Sequence, residues 1–363
     1  MNRLYYKIID PDRKFYYLPL YLVLRALSII YNKALQLRLW CYHSGFFPVK
    51  KLDCRVVSVG NLTLGGTGKT PMVMMMAEIL RRHGCRPAIL SRGYKGKSAE
   101  EVNVVCDGQS VLLSPDAVGD EPVMMARKLK NIPILTGRDR YKAGLHALQR
   151  LSVDTLILDD GFQRLDLHRD LNILLLDHRR PFGNGRLFPA GHMREPLREI
   201  RRADLICITR YTGGKKNPDT DPAIDRNIPI VKAALRLESV IRLDNGEALG
   251  ADCLKNRRVA AFCGIAQPDD FKNTLETSQA RVVYFRDFAD HHAYSPSDQK
   301  AVEECARRAG AEWILTTEKD SVKLQENVFT LPVLKVCVGL KIIEGQEAFD
   351  EYLLDHRRQA KRS

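Results

Sequence analysis

The chain has 363 residues, 45% hydrophobic and 28% charged, with a formal net charge of +13. That length allows about two domains of roughly 150 residues, and the composition excludes a disordered or low-complexity chain. Nine cysteines with no C-x-x-C pair point to a reducing compartment and away from structural zinc.

The first 55 residues hold ten Lys and Arg against Asp10, Asp12 and Asp53, more than half of the net charge. Such a surface suits nucleic acid or an anionic membrane. The opening MNRLYYKIIDPDRKF lacks a signal-peptide pattern with a small-residue cleavage site, which argues for a cytosol-facing protein. Residues 15–40 are apolar and aromatic. Their longest uncharged run, Phe15 to Leu24, falls short of the about 20 residues a bilayer span needs. As a helix, Leu20 to Trp40 puts Arg25, Ser28, Asn32 and Gln36 on one face. A helix on the membrane surface and a helix packed on the protein's own core both fit this pattern. The basic excess on an apolar, aromatic segment disfavours nucleic acid as the partner.

Arg55 to Pro71, RVVSVGNLTLGGTGKTP, carries the strongest signal. A valine-rich strand runs into Thr63, Leu64, Gly65, Gly66, Thr67, Gly68, Lys69 and Thr70, and MVMMMAEILRR then reads as a helix. Strand, glycine-rich loop, Gly-Lys-Thr and helix form a phosphate-binding loop. Glycines let several N–H groups converge on one anion, and the helix start adds its own. Lys69 serves the β- and γ-phosphates of a nucleoside triphosphate, and Thr70 offers a hydroxyl to Mg²⁺. Thr63 stands where the generic pattern has glycine.

Pro87 to Leu90 reads as a strand ending at Arg92 and Lys95, at the sheet edge where ligands bind. Residues 97–115 read as a β-hairpin around Asp107-Gly108. Val118-Gly119-Asp120-Glu121-Pro122 opens a helix, and its carboxylates serve the helix dipole or catalysis. Strand Ile132 to Leu135 and helix Tyr141 to Leu151 follow.

The run DTLILDD delivers Asp159 and Asp160 at a strand's carboxyl end, the layout that presents an Asp to Mg²⁺ beside a phosphate loop. Which of the two meets the ion is left open. Strand Leu171 to Asp177 leads into a long loop, His178 to Pro196, rich in arginines suited to phosphate or an anionic substrate. After Asp204 to Thr209 and a polar loop at 215–229, Ile230 to Leu243 is extended. From there an α/β rhythm repeats: strands 259–263, 281–285, 313–316 and 333–338, helices from Asp269 and Ser295, and a last helix. Asp287 to His292 pairs histidines with aspartates. Thr317-Glu318-Lys319-Asp320 mimics a guanine-reading motif with its lysine one place late, so it supports no GTPase.

Together VGNLTLGGTGKTP, LSRGY, VGDEP, LDDGFQ, RDLNILLLD, GNGRLFPAGHMREP, FCGIAQPDDFKNTL, FADHHAY and TTEKDSVK resemble the tetraacyldisaccharide 4′-kinases of lipid A synthesis, across nearly the whole chain. The resemblance accounts for Thr63. It implies ATP and Mg²⁺ as cofactors and an acylated glucosamine disaccharide 1-phosphate as acceptor, giving lipid IVA at the cytoplasmic face of the bacterial inner membrane. It implies an interfacial N-terminal helix and a protein peripheral to or monotopic in that membrane. Asp120 then takes the acceptor's proton, paired with His291, and Lys69 completes the catalytic set. Thr70, Asp159, Asp160 and Glu121 fall to Mg²⁺, and Arg92, Arg194 and Glu195 to the substrate. Asp120 and His291 lie far apart in sequence, which implies domain closure on substrate.

The expected architecture is α/β. It comprises a membrane segment at 1–50, a P-loop domain at 51–240 with a mostly parallel sheet and helices on both faces, and a smaller α/β domain at 241–363. The rival function is a membrane-associated P-loop ATPase that switches a partner protein.

Overall fold

The computed structural model describes residues 3–94, 96–213, 224–225, 227–290, 292–325 and 328–355. In chain order the elements begin with helices α1 (Arg3–Ile9) and α2 (Leu18–His43), strand β1 (Arg55–Asn61), helix α3 (Lys69–Arg82) and strands β2 (Pro87–Ser91) and β3 (Val102–Cys106). Next come helices α4 (Pro115–Val118) and α5 (Asp120–Lys128), strand β4 (Ile134–Gly137), helix α6 (Arg140–Arg150) and strands β5 (Thr155–Asp159), β6 (Leu171–Asp177), β7 (Leu205–Thr209), β8 (Ile230–Arg242) and β9 (Ala248–Leu249). The last are strand β10 (Arg258–Cys263), helix α7 (Pro268–Thr277), strand β11 (Arg281–Asp287), helix α8 (Pro296–Arg308), strand β12 (Trp313–Thr317), helix α9 (Glu318–Ser321), strand β13 (Val333–Glu344) and helix α10 (Gln346–Leu354).

The chain forms two compact units, neither of them one continuous segment. The larger holds Met1–Ser91, Asp139–Ala234 and Ile342–Ser363; the smaller holds Arg92–Arg138 and Leu235–Lys341. Residues 92–138, expected with the phosphate loop, therefore cluster with the C-terminal part. The last helix, expected there, clusters with the larger unit. A linear reading of the sequence misses both exchanges because they rest on contacts remote in sequence.

In the larger unit the strands run β8–β7–β6–β1–β5–β2, every pair parallel. β1, β2, β5, β6 and β7 are buried along their whole lengths, as apolar runs in a covered parallel sheet must be. β1 lies between β5 and β6, so successive strands pass to opposite sides of it, and the crevice at its carboxyl end is the expected ligand site. Arg55, at the start of β1, is buried and donates from Nη1 to Leu353 O at 2.5 Å and from Nη2 to Tyr352 O at 2.9 Å, in α10.

In the smaller unit β11–β10–β12–β13 are parallel. Around the Asp107 turn of the hairpin expected at 97–115 the chain pairs briefly back on itself, Cys106 with Val111 and Leu112 N to Val105 O at 2.8 Å, while β3 takes its longer pairing elsewhere. β3 runs antiparallel to β4. The turn itself forms, with Asp107 Oδ1 accepting from Gln109 N and Ser110 N at 2.8 Å. Val111 and Leu112 beyond it are exposed, whereas Ile134 and Leu135 are buried and give β3 the better partner.

The N-terminal segment departs from the length argument made on its sequence. Phe15–His43 is long and apolar enough to cross a membrane, by length and composition. Tyr21, Ser28, Leu35 and Leu39 of α2 face the protein, while Leu22, Val23, Leu27, Ile30, Leu37 and Trp40 are exposed.

Candidate active site

The phosphate loop leaves β1 at Asn61 and ends at Gly68, which caps α3 with φ +83°, a left-handed conformation that side chains disfavour. Pro71 fits the first turn of α3, where no N–H is needed. Met72, Val73, Met76 and Ala77 are buried and hold the helix so that Lys69 and Thr70 open it. Residues that the sequence reading missed brace the loop. Thr209 Oγ1 donates to Thr67 O at 2.8 Å, and Arg210 Nη1 donates to Gly66 O and to Asp177 Oδ2, both at 2.6 Å. These bonds fix the peptide planes and hence the direction of the neighbouring N–H groups. The Thr67 hydroxyl is buried without a hydrogen-bond partner, a donor suited to a phosphate oxygen.

Pairing of Val59 with Asp159 brings the ends of β1 and β5 together. Asp159 is buried and accepts from Ser91 Oγ at 3.1 Å. Asp160, in the left-handed region at φ +57°, turns to the loop: its Oδ1 lies 3.5 Å from Lys69 Nζ. Lys69 Nζ also donates to Asn61 Oδ1 at 3.2 Å. Arg194 Nη1 donates to Asp160 Oδ1 at 2.9 Å and Oδ2 at 2.8 Å. Burial opposes ionisation of Asp160, but the Lys69 and Arg194 charges outweigh it and hold the carboxyl below its usual range.

Arg194 is placed by the long loop. Arg194 N donates to Leu62 O and Leu64 N donates to His192 O, each at 2.7 Å, flanking a Thr63–Met193 bridge. Glu195 does not share that position. It is 1% exposed, paired with Arg202, and receives Gln163 Nε2 at 3.4 Å. Burial raises its pKa. Glu195, expected at the substrate, is held in the structure by Arg202 and Gln163.

The smaller unit carries the second cluster. Gly119, at φ +94°, caps α5; a Cβ there would stand 2.5 Å from Tyr94 O. It presents Asp120 and Glu121 in the first turn. Asp120 Oδ2 lies 3.5 Å from Lys323 Nζ, and that ammonium lies 2.9 Å from Asp320 Oδ1. Glu121 Oε1 lies 3.2 Å from Lys319 Nζ, which also meets Asp290 Oδ1 at 3.3 Å. Asp320 is wholly buried and accepts from Gly264 N at 2.9 Å and Thr317 Oγ1 at 2.7 Å. The Thr317–Asp320 segment, which supports no GTPase, thus supplies Lys319, and Lys323 follows three residues after it. Glu121, expected at Mg²⁺, is paired with Lys319 within the smaller unit. Arg92 is exposed in this unit. His291 and Lys95 lie outside the described residues. His292 Nε2 stands 3.0 Å from Asp298 Oδ2.

Among the described residues no cluster of three or more His, Cys, Asp or Glu side chains is placed to hold a metal. The Thr70 hydroxyl and the β5 carboxylates are hard oxygen donors, the kind a small divalent cation shares with phosphate oxygens.

A family model described as tetraacyldisaccharide-1-P 4′-kinase matches residues 20–358. A tetraacyldisaccharide 4′-kinase of Syntrophus aciditrophicus (strain SB) is 42% identical over 349 residues, covering 93% of each chain. One from Geobacter sulfurreducens is 44% identical over 323 residues, covering 89% of this chain and 90% of its own. The crystal structure of LpxK from Aquifex aeolicus in complex with ATP aligns with a TM-score of 0.75 at 36% identity, covering 92% of this chain and 98% of that one. With the phosphate loop, the β5 carboxylates and the family match all in one chain, the protein belongs to the tetraacyldisaccharide 4′-kinase family.

Proposed function

We propose that the larger unit binds Mg²⁺–ATP and that Asp120 of the smaller unit takes the acceptor's proton. The reaction moves the γ-phosphate to the 4′-hydroxyl of a tetraacyldisaccharide 1-phosphate. The observation that carries this reading is the Lys69–Asp160–Arg194 constellation at the phosphate loop. Two cations around one carboxylate are set where the charge of a transferring phosphoryl group must be neutralised.

In the step, the 4′-oxygen bonds to the γ-phosphorus as the bond to the β–γ bridging oxygen breaks. ADP leaves, and the hydroxyl proton passes to the Asp120 carboxylate, with His291 its expected partner. Lys69 and the loop N–H groups hold the β- and γ-phosphates. Arg194 steadies Asp160 and, on substrate binding, reaches phosphate oxygen. Thr70 and Asp160 would hold Mg²⁺, with Asp159 beside them, and the ion's charge would withdraw electron density from the phosphoryl oxygens. Asp120 and Lys69 belong to different units.

The exposed apolar face of α2, with Ile30 at 66% and Trp40 at 62% exposure and basic residues along the segment, supports a seat at the cytoplasmic face of the inner membrane. There the helix meets an acceptor whose acyl chains stay in the bilayer.

The test is transfer from γ-labelled ATP with Mg²⁺ into tetraacyldisaccharide 1-phosphate in detergent micelles, with Lys69→Ala as control. Label in the lipid, lost in the variant, is the expected result. Hydrolysis of ATP without labelled lipid would overturn it in favour of an ATPase switch.

A further inference from the structure

Helix α2 faces the nucleotide site as well as the solvent. Tyr31 OH donates to Arg194 O at 2.9 Å, and Arg194 is the residue whose guanidinium holds Asp160. One turn earlier Ser28 Oγ donates to Leu187 O at 2.9 Å, in the same loop. Two turns later Arg38 Nη2 donates to Gln163 O at 3.1 Å. Gln163 Nε2 donates in turn to Asn61 O at 2.9 Å, and the Asn61 side chain receives Lys69 Nζ. Two routes of hydrogen bonds therefore leave one helix and pass through or reach the two cations of the phosphate site, Arg194 and Lys69. One runs Tyr31–Arg194–Asp160, the other Arg38–Gln163–Asn61–Lys69. α1 adds a third tie to the loop, with Tyr5 OH donating to Gly191 O at 3.1 Å. All of these residues belong to the larger unit.

A helix needed only as an anchor has no reason to aim its few polar groups at one loop and one carbonyl beside the phosphate site. Its outward face, Leu22, Val23, Ile30 and Trp40, is exposed. Whatever takes up that face sets the axial position and rotation of α2, and with them the carbonyls on which Arg194 and Gln163 hang.

We propose that Tyr31 and Arg38 are positioning residues for the ATP site, through which an anionic lipid surface bound to the opposite face of α2 tightens nucleotide binding. This rests on the membrane reading above. The linkage is reciprocal: bound nucleotide strengthens membrane binding by the same factor.

The test uses the full chain, a non-hydrolysable Mg²⁺–ATP analogue measured by calorimetry, and phosphatidylglycerol vesicles whose capture of protein is followed by sedimentation. Wild type should sediment with vesicles and bind the analogue at least about fivefold more tightly with them than in detergent micelles. The double variant Tyr31→Phe, Arg38→Leu should sediment equally, keep the wild-type melting temperature, and show no tightening. Arg38→Lys, which keeps a donor for Gln163 O, should restore part of the response when combined with wild-type Tyr31. Wild type that sediments without any change in nucleotide affinity overturns the coupling and leaves the membrane reading intact. Wild type that does not sediment overturns both. A double variant that responds like wild type, or one that melts early because its bonds serve only the fold, overturns the assignment of Tyr31 and Arg38.

Discussion

Arg194 places one nitrogen within 2.9 Å of both carboxylate oxygens of Asp160, and the backbone of the same arginine is tied to Leu62 beside the phosphate loop. Side chain and main chain thus act on opposite ends of one site. Arg194→Ala should lower kcat for phosphate transfer about 100-fold. Steady-state kinetics with saturating acceptor checks this, and an unchanged kcat would remove Arg194 from the site.

Asp120→Asn keeps the size of the side chain and loses the proton acceptor. It should lower kcat about 100-fold or more while leaving binding of an ATP analogue near wild type, because the phosphate loop lies in the other unit. Parallel loss of nucleotide affinity would place Asp120 in the nucleotide site instead.

Gly119→Ala forces a side chain into φ +94° and against Tyr94 O. We expect destabilisation of about 1–3 kcal/mol together with reduced transfer, since the first turn of α5 carries Asp120. Thermal melts with activity measured well below the transition separate the two effects.

Asp298 caps α8 with Ser295 in a reciprocal pair, Ser295 Oγ and N reaching Asp298 Oδ2 at 2.8 Å and 3.1 Å. The Ser295 hydroxyl, then His292 and the Ser295 N–H, pull its pKa from 3.8 to about 2. The folded value lies below the unfolded one. Its stabilisation is therefore complete above pH 3.8 and is lost as pH falls through about 2. Asp298→Ala should cost about 1 kcal/mol near neutral pH. Denaturant melts in a pH series should show the gap between wild type and variant narrowing below pH 4.

Leu27→Ser with Ile30→Ser removes exposed apolar area from α2 without touching its protein-facing side. Sedimentation with anionic vesicles should fall several-fold, while the melting temperature holds. Removing residues 1–40 should reduce recovery with membranes too, but that cut also strips Tyr31 from Arg194 and confounds two effects.

Much of the larger unit is legible in the sequence because its signals are local. A valine-rich run must be covered, Gly68 must allow a left-handed turn, and carboxylates closing a strand beside a phosphate loop have few other uses. The partners of those groups are not local. Nothing in Thr317-Glu318-Lys319-Asp320 announces that Lys319 meets Glu121, nearly 200 positions earlier, or that Lys323 meets Asp120. Nor does a run of hydrophobic residues near the start reveal that Tyr31 belongs to a main-chain carbonyl in the 178–196 loop. Such contacts depend on strand order, which periodicity does not give. The hairpin expected at 97–115 forms only as a short return around the Asp107 turn, because the longer partner of β3 is β4, remote in sequence.

Arg55 opens the strand on which the phosphate loop is built, and its guanidinium is closed by carbonyls of Tyr352 and Leu353. During synthesis the ribosome must therefore reach Leu353 before this buried cation is satisfied. A nascent chain stalled before residue 346 would carry the glycine-rich loop with an uncompensated charge at the root of its strand. Chains cut short near the C-terminus should be handed to chaperones or proteases rather than released as active fragments.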